Sequence, residues 1–356
     1  MLANGLRCRH CLRYLVEEFM KNGGWNVMDR TRWGILSTAE IGTQFVIPAM
    51  QGGDRCEITA IASRSAEKAK NVASEFGIPV AYGSYQELLD DPDIDCIYNP
   101  LPNHLHVEWS IKALEAGKHV LCEKPVAVDT PEAEKLYNAS REYPDLKVME
   151  AFMYRHHPQW KVVKRILGDG SIGELQAIHA TFTYYNTDPE DIRNRAEVGG
   201  GGLLDIGCYT ISVSRFLFDS EPDHVFGVME MDPEFNTDRL TSGILEFPEG
   251  RAAFTCATQI KDYQQVTLLG TKGRLVIELP FTPFEEDKCR LHLSAGEEVE
   301  VIPVEPADQY RIQGDLFSEA VLNDTEVPTP LEDALANMRV IDAVAESSES
   351  GGWVEV

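Results

Sequence analysis

The chain has 356 residues, 43% of them hydrophobic, which is enough for two domains with apolar cores. Its 58 acidic and 32 basic residues give a formal net charge of −26, which argues against a nucleic-acid partner and an anionic membrane surface. The sequence holds no run of about 18 apolar residues, so no membrane-spanning segment is expected.

Residues 1–30 do not resemble a signal peptide, because Glu17, Glu18 and Lys21 interrupt their only apolar run. We expect an N-terminal extension that is disordered or reflects a start assigned too far upstream, and a functional arm is the alternative. Cys8 and Cys11 have half the spacing of a zinc site, but no second pair follows, so no metal is expected. The scattered cysteines are typical of a reducing cytoplasm, which is the expected location.

Residues 31–152 alternate strand-like and helical patterns. Helical spacing covers 66–76 and recurs at Val107, Ile111 and Leu114. Short apolar runs that suggest strands occupy residues 33–37, 58–63, 96–98, 119–122 and 148–149. This rhythm predicts an α/β domain with a doubly wound parallel sheet, the Rossmann dinucleotide-binding arrangement.

The pattern changes in residues 153–356, where strands are predicted at 177–184, 242–247, 251–257 and 264–269. Hairpin turns at 248–250 and 270–273 favour antiparallel pairing, and a helix is predicted at 203–218. We therefore expect an α+β domain for substrate binding and dimerisation, with a large open, mostly antiparallel sheet. Two further helical segments, 308–323 and 331–346, are expected to pack back on the first domain.

The turn after the first predicted strand has small residues where a dinucleotide-binding fingerprint has glycines: Ser37, Ala39 and Gly42. The backbone can still approach a pyrophosphate at the start of the following helix. Ser37, Thr38, Ala39 and Ile41 are therefore predicted cofactor contacts, and an ordinary strand–helix turn is the alternative.

The second predicted strand is followed by Ser63, Arg64 and Ser65 rather than by an acidic residue. An acid there would bind the ribose 2′-hydroxyl of NAD and repel a 2′-phosphate. Hydroxyls and a guanidinium suit a phosphate, so Ser63 and Arg64 favour NADP. A serine N-cap beside a solvated Arg64 is the alternative, which leaves NAD possible.

The loop after the third core strand contributes Asn99, Leu101, Asn103 and His106 as predicted cofactor contacts. Asn103 is either a helix N-cap, the favoured interpretation, or a ligand contact. The histidine is equally compatible with a position on a helix surface.

Glu123, Lys124 and Pro125 end the run 119–122, and the proline stops the strand. Lys124 is thereby brought to the carboxyl end of a parallel strand, where ligands bind in such sheets. Glu123 and Lys124 are predicted to contact the cofactor, and a surface lysine is the alternative.

A run of four glycines, residues 199–202, precedes Asp205 and Tyr209, which are four apart and share a helix face. A free tyrosine has a pKa of about 10, and a nearby lysine cation lowers it. Lys124, Asp205 and Tyr209 are therefore predicted catalytic residues that also bind substrate. A core tyrosine whose hydroxyl is bound to Asp205 is the alternative.

A polar rim for a polyhydroxylated substrate, with a solvated loop as the alternative, is predicted from Tyr184, Tyr185, Asp191, Arg193 and Arg195. Arg155 and His157 are predicted to line a polar pocket at the junction of the two domains. The adjacent His156 and His157 lack the spacing of metal ligands, so no metal is expected there.

Together, the turn at 37–42, the Glu-Lys-Pro at 123–125, the segment 150–155 and the Asp-x-x-x-Tyr at 205–209 resemble the Gfo/Idh/MocA oxidoreductase family. The resemblance covers residues 32–346 and favours the branch of dimeric dihydrodiol dehydrogenase and NADP-dependent D-xylose dehydrogenase. It implies Lys124 and Tyr209 at the reaction centre and a homodimer or homotetramer formed through the second domain.

The function predicted from these features is an NADP-dependent oxidoreductase acting on a sugar or cyclic polyol. Two alternatives stay open: a nucleotide-binding sugar sensor without turnover, and an enzyme whose permanently bound cofactor passes hydride between two sugars.

Overall fold

The structure, a computed structural model, describes residues 29–286 and 288–356. Apart from Asp29 and Arg30, the predicted N-terminal extension lies outside the described residues, as does the Cys8–Cys11 pair.

The first sheet has six parallel strands within the described chain, in the order β3-β2-β1-β4-β5-β6. Their bounds are β1 (Thr31–Leu36), β2 (Cys56–Ala62), β3 (Val80–Tyr82), β4 (Cys96–Asn99), β5 (His119–Cys122) and β6 (Val148–Glu150). Most are near-continuous apolar runs because helices cover both faces of such a sheet. The predicted doubly wound sheet is confirmed, although the short strand β3 was not predicted.

Five α-helices connect these strands in the described residues, and polar caps begin three of them. Ser65, Ser84 and Asp129 each accept a bond from the amide three residues on. Gly77 ends the predicted helix 66–76 with φ 66°. The bounds are α1 (Ile47–Gln51), which follows a π-helical turn (Gly42–Val46), α2 (Ala66–Phe76), α3 (Tyr85–Leu89), α4 (His106–Glu115) and α5 (Thr130–Glu142).

The second sheet has nine strands in the described chain, in the order β14-β13-β12-β11-β7-β10-β9-β8-β15. Their bounds are β7 (Leu175–Tyr185), β8 (His224–Met231), β9 (Asp238–Phe247), β10 (Gly250–Ala257), β11 (Gln259–Gly270), β12 (Arg274–Ile277), β13 (Arg290–Ser294), β14 (Glu300–Pro303) and β15 (Val354–Glu355). The prediction of a mostly antiparallel sheet is confirmed, with hairpins at 248–250 and 270–273. The prediction of antiparallel pairing is wrong for β7 and β10, which run parallel. They do so because the chain crosses the sheet through a helix between β7 and β8.

Four α-helices of the described residues accompany the second sheet: α6 (Pro158–Gly168), α7 (Cys208–Phe218), α8 (Gln309–Leu322) and α9 (Leu331–Ser350). A π-helical turn (Leu203–Gly207) leads directly into α7, so a continuous helix covers the predicted 203–218. Across the described residues, 29–286 and 288–356, no helix is both long enough and apolar enough to cross a membrane.

The two C-terminal helices contact the first sheet and its helices. Trp33 of β1 packs on Phe317 of α8 with ring centroids 5.4 Å apart, and its Nε1 donates to Ser318 Oγ at 3.1 Å. The amide of Thr130 donates to Asp342 Oδ2 of α9 at 2.7 Å. These contacts attach α8 to β1 and α9 to the start of α5.

Candidate active site

The candidate site lies outside the carboxyl ends of β1, β4 and β5. The strand order reverses at β1, which pairs with both β2 and β4, and ligands bind in the crevice at such a point. Ser37 and Lys124 lie in the loops after β1 and β5, and Asn99 ends β4. Helix α7 and the turn before it supply Tyr209 and Asp205 from the second half of the chain.

The turn after β1 is a tight backbone cradle. Ser37 has φ 99°, a conformation that favours glycine, and its amide donates to Ala62 O at 3.0 Å. Ser37 Oγ accepts from the amide of Ala39 at 3.2 Å. Thr38, Ala39 and Ile41 lie half-buried at the start of the helix. The backbone of this turn can therefore come close to a dinucleotide pyrophosphate at the N-terminus of the helix.

The end of β2 supplies both a helix cap and an exposed guanidinium. Ser65 Oγ caps α2 by accepting from the amide of Lys68 at 3.3 Å, and buried Ser63 accepts from the amide of Ser65 at 3.2 Å. Arg64 is exposed and forms no ion pair within the described residues. Burial raises the pKa of the neighbouring Tyr85, and the Arg64 charge opposes that shift. Arg64 also makes a side-chain hydrogen bond with Tyr85, but no acidic partner among the described residues would have to be displaced by a phosphate.

The loop after β4 is held by its own buried polar groups. Asn99 Nδ2 donates to His106 O and Ser110 Oγ, both at 3.0 Å. The His106 ring nitrogens lie 2.8 Å from Pro125 O and 2.6 Å from Leu101 O, and burial lowers the pKa of His106 to about 4. The side-chain polar atoms of these two residues are thus bound inside the protein, where they fix the Leu101 loop and the loop that carries Lys124. Contact of Asn99 and His106 with the cofactor stays a prediction.

Asn103 links the two halves of the site. Its Nδ2 donates to Gly199 O in the glycine run at 2.8 Å, across 96 residues of sequence. The favoured interpretation of Asn103 as an N-cap is wrong, since neither its 3₁₀ turn nor α4 has a side-chain cap.

Two buried carboxyl groups support the Lys124 loop. Glu123 Oε1 accepts from the Tyr98 hydroxyl at 2.7 Å, and Glu123 Oε2 accepts from the amide of Lys124 at 3.2 Å. Glu150 Oε1 accepts from the amide of Val126 at 2.7 Å. Burial raises the pKa of Glu123, and it raises the pKa of Glu150 to about 8. The role of Glu150 was missed, since its place at the end of β6 gives no sign of a partner.

Asp205 is the centre of the site. Lys124 Nζ donates to Asp205 Oδ1 at 2.9 Å and to its carbonyl oxygen at 2.7 Å. Asp205 Oδ2 accepts from the Tyr184 hydroxyl at 2.8 Å and from Arg193 Nε at 3.1 Å. The structure thus brings Lys124, Asp205 and Arg193 together as predicted substrate-site residues, with Tyr184 of the predicted rim on the same carboxylate.

The charges of this cluster stabilise one another. Burial alone would raise the pKa of Asp205, but Lys124 and Arg193 hold it well below its usual range. Burial disfavours the ammonium of Lys124, but the Asp205 carboxylate raises the pKa of Lys124. Both groups are therefore ionised at neutral pH.

Lys124 contacts the aromatic ring of Tyr209 rather than its hydroxyl oxygen. Lys124 Nζ lies 5.0 Å from the Tyr209 ring centroid, and the Tyr209 hydroxyl is 3.5 Å from Met153 Sδ. Burial raises the pKa of Tyr209 well above its usual value, so the predicted lowering by Lys124 is wrong for this arrangement. The alternative is confirmed in part: Tyr209 is a core tyrosine, 4% exposed, but its hydroxyl contacts Met153 Sδ rather than Asp205.

Two predicted substrate contacts lie apart from the cluster. Arg155 Nη2 donates to Asp333 Oδ2 at 2.9 Å and to Ser212 Oγ at 3.2 Å, so its guanidinium is bound in a buried ion pair. Tyr185 is 65% exposed, because neighbours in a strand face opposite sides of the sheet and Tyr184 faces Asp205. Strand alternation places only one tyrosine on the cluster side, but the sequence does not say which.

The glycine run leaves room for the Asp238 carboxylate at the start of the helical segment that carries Asp205. Asp238 Oδ2 accepts from the amide of Leu203 at 2.7 Å and from Thr241 Oγ1 at 2.8 Å. Gly201 has φ 119°, and a Cβ there would lie 2.2 Å from Asp238 Oδ1. Asp238 was missed because it lies 33 residues beyond Asp205 with no motif around it. No metal-binding group of three or more His, Cys, Asp or Glu side chains occurs in the described part of the chain.

Comparison with known proteins identifies both domains. The model of an oxidoreductase family with an NAD-binding Rossmann fold, GFO/IDH/MocA, matches residues 31–152. The GFO/IDH/MocA C-terminal domain matches residues 160–276. An uncharacterized oxidoreductase of Rhizobium meliloti is 44% identical over 92% of this chain and 100% of its own. A D-xylose 1-dehydrogenase (NADP(+)) of Haloferax volcanii is 35% identical over 91% of this chain and 99% of its own.

A solved structure agrees with these matches. The 3-ketoreductase KijD10 from Actinomadura kijaniata, in complex with NADP and TDP-benzene, superposes with a TM-score of 0.85 at 33% identity. The match covers 90% of this chain and 98% of the ketoreductase. The resemblance to the family, and to the branch that includes D-xylose dehydrogenase, is confirmed.

Proposed function

The chain belongs to the Gfo/Idh/MocA family of oxidoreductases, and on that premise we propose that it transfers hydride between NADP and a hydroxyl-bearing or carbonyl carbon of a sugar or cyclic polyol. The observation that carries the proposal is the meeting of Lys124 with Asp205 and Tyr209, 81 and 85 residues away in sequence. This places an ammonium and a phenol together beside the dinucleotide crevice.

The choice of NADP rests on the end of β2. Arg64 is exposed there without an acidic partner in the described residues, and positions 63–65, directly after β2, hold no carboxylate to repel a 2′-phosphate. The D-xylose dehydrogenase is named for NADP(+), and the ketoreductase was solved with NADP.

When bound, the nicotinamide supplies the hydride chemistry. Lys124, oriented by Asp205, is placed to donate a hydrogen bond to the reacting oxygen of the substrate and stabilise its negative charge. The neutral Tyr209 phenol suits proton donation to a carbonyl oxygen in the reductive direction. In the oxidative direction the Lys124 ammonium must approach the phenol oxygen, since only then does the pKa of Tyr209 fall enough to accept a proton.

The charges at the rim favour an uncharged substrate. Arg193 is bound by Asp191 and Asp205, Lys124 by Asp205, and Arg195 by Glu197 at 2.7 Å. A substrate phosphate or carboxylate would have to displace one of these acids from its partner. A free sugar or polyol binds by neutral hydrogen bonds and requires no such exchange.

The test is a screen of the purified chain against D-xylose, D-glucose, myo-inositol and a trans-dihydrodiol, with NADP and NAD, followed by the absorbance of reduced nicotinamide. Turnover with NADP and at least one of these compounds is expected. Strong inhibition by thymidine diphosphate would contradict the assignment of an uncharged substrate.

Substitution of the two central residues tests the mechanism. Tyr209→Phe and Lys124→Met should each lower kcat by about 10²–10⁴-fold, because each removes a proton-transfer or charge-stabilising group. NADP binding should be retained in Tyr209→Phe, since only Lys124 is a predicted cofactor contact. The matched control is Lys161→Met, which removes an exposed lysine on α6. Full turnover by Tyr209→Phe would refute the role of the phenol.

A further inference from the structure

The phenol of Tyr184 lies in the site, although no step above uses it. Its hydroxyl donates to Asp205 Oδ2 at 2.8 Å, while Lys124 Nζ donates to Asp205 Oδ1 at 2.9 Å. We propose that Tyr184 is a positioning residue for hydride transfer, which holds the Asp205 carboxylate so that its other oxygen faces Lys124. The inference rests on the proposed function.

The strand fixes where the Tyr184 hydroxyl lies. β7 is a central strand between β11 and β10, and Tyr184 is its penultimate residue. Phe182, two residues earlier on the same face, packs on the Tyr209 ring with centroids 5.6 Å apart. Asp205 lies on a π-helical turn and Lys124 on a loop, so Tyr184 is the member of the cluster that the sheet itself holds.

Arg193 cannot replace this contact with equal rigidity. It also donates to Asp205 Oδ2, at 3.1 Å, but it belongs to a short 3₁₀ turn and its side chain is 42% exposed. Its guanidinium is shared with Asp191 Oδ1 at 3.3 Å. Loss of the Tyr184 bond therefore leaves Oδ2 with Arg193 Nε, a partly exposed donor on a guanidinium that Asp191 shares.

The neutrality of the phenol suits this role. A phenol donates a hydrogen bond without adding a positive charge that would compete with Lys124 for the carboxylate. Burial and the Asp205 charge raise the pKa of Tyr184 far above its usual value, so it remains a donor at every working pH. Asp205 thus keeps its full attraction for the Lys124 ammonium while its orientation is fixed.

A double-mutant cycle of Tyr184→Phe and Asp205→Asn tests the inference through kcat. Tyr184→Phe alone should lower kcat by roughly ten- to hundredfold, as expected for loss of a hydrogen bond to a charged group. The KM for the sugar and the dissociation constant for NADP should change by about twofold or less. In the Asp205→Asn background the same substitution should lower kcat by about twofold or less, because Tyr184 acts only through that carboxylate.

The same cycle, measured by urea unfolding of the enzyme without cofactor, needs no substrate. The loss of unfolding free energy caused by Tyr184→Phe should shrink to less than about half in the Asp205→Asn background. Tyr263→Phe is the matched control, because Tyr263 is 51% exposed and pairs with Thr183, so it faces the opposite side of the sheet. It should match the wild type in both measurements.

Two results would overturn the inference: full kcat in Tyr184→Phe, or additive losses in both cycles. Failure of every sugar to react with the wild-type chain would instead remove the proposed function. The unfolding cycle would then still decide whether Tyr184 and Asp205 are coupled.

Discussion

At the scale of single residues, Arg64 decides between the two nicotinamide cofactors. Its guanidinium is exposed at the end of β2 and forms no ion pair with the described residues. Arg64→Ala should weaken NADPH binding by roughly ten- to hundredfold, because a charge-assisted bond to the 2′-phosphate is lost. NADH binding should stay nearly unchanged. Dissociation constants from protein fluorescence quenching provide the measurement.

Lys70→Ala is the control for this substitution, since Lys70 is exposed on α2 and its removal changes the net charge equally. It should weaken both cofactors slightly and to the same degree. Equal losses for NADPH and NADH in Arg64→Ala would show that no 2′-phosphate is bound there.

Sequence reasoning placed some site residues well because chemistry and chain position agree. Lys124 and Asp205 follow recognisable motifs and form an ion pair at 2.9 Å. Sequence reasoning is insufficient where the buried surroundings decide which side-chain polar atoms are free to bind a ligand. Asn99 and His106 stand in a plausible binding loop, but their polar atoms bind neighbouring backbone and side-chain groups, and no local pattern reports such long-range partners.

At the scale of elements, the glycine run makes room for the Asp238 contact at the start of the helical segment that carries Asp205 and Tyr209. Gly201→Ala should lower the free energy of unfolding by about 1–3 kcal/mol, because alanine is strained at φ 119° and its Cβ would displace the Asp238 carboxylate. Asp238 would then lose its bond to the amide of Leu203, and kcat should fall with it. Urea unfolding and steady-state kinetics measure the two effects.

Gly168→Ala provides the comparison, because Gly168 ends α6 with open space around its Cβ position and an ordinary φ. It should be neutral or slightly stabilising. If Gly201→Ala were as stable as Gly168→Ala, the run would not be needed for the Asp238 contact.

Elements were predictable where periodicity is strong and partners are local. The helix at 66–76 and the hairpins at 248–250 and 270–273 follow from spacing and turn residues. The parallel pairing of β7 with β10 does not, because it depends on where the chain returns after α7 and the intervening hairpin. The short strands β3 and β12 to β14 have too few residues to show a period.

At the scale of the whole molecule, the predicted homodimer or homotetramer stays a prediction. Val228 and Ile244 of the second sheet are 58% and 38% exposed, as expected for a sheet face that another subunit covers. The acidic surface favours association through such an apolar face over association through charged surfaces, because like charges repel.

The stability of the molecule should depend on pH through Glu150. The carboxyl is buried, its Oε2 has no hydrogen-bond partner among the described residues, and burial raises its pKa from the usual 4.5 to about 8. Between these values the folded protein keeps a proton that the unfolded chain has released, so this group lowers stability as pH rises from 4.5 to 8. Glu150→Gln retains an acceptor for the amide of Val126 and cannot ionise.

Glu150→Gln should therefore be more stable than the wild type at pH 8, by up to a few kcal/mol, and nearly equal to it at about pH 4. Burial and partial burial lower the pKa values of His106, His156 and His157 to about 4, so these groups lower stability in both proteins as pH drops below 6.5. The difference between the two proteins therefore isolates Glu150. Urea unfolding at several pH values measures it, with Glu346→Gln as the exposed control. A gap between wild type and Glu150→Gln that stays constant from pH 4 to 8 would mean that Glu150 ionises normally in the folded protein.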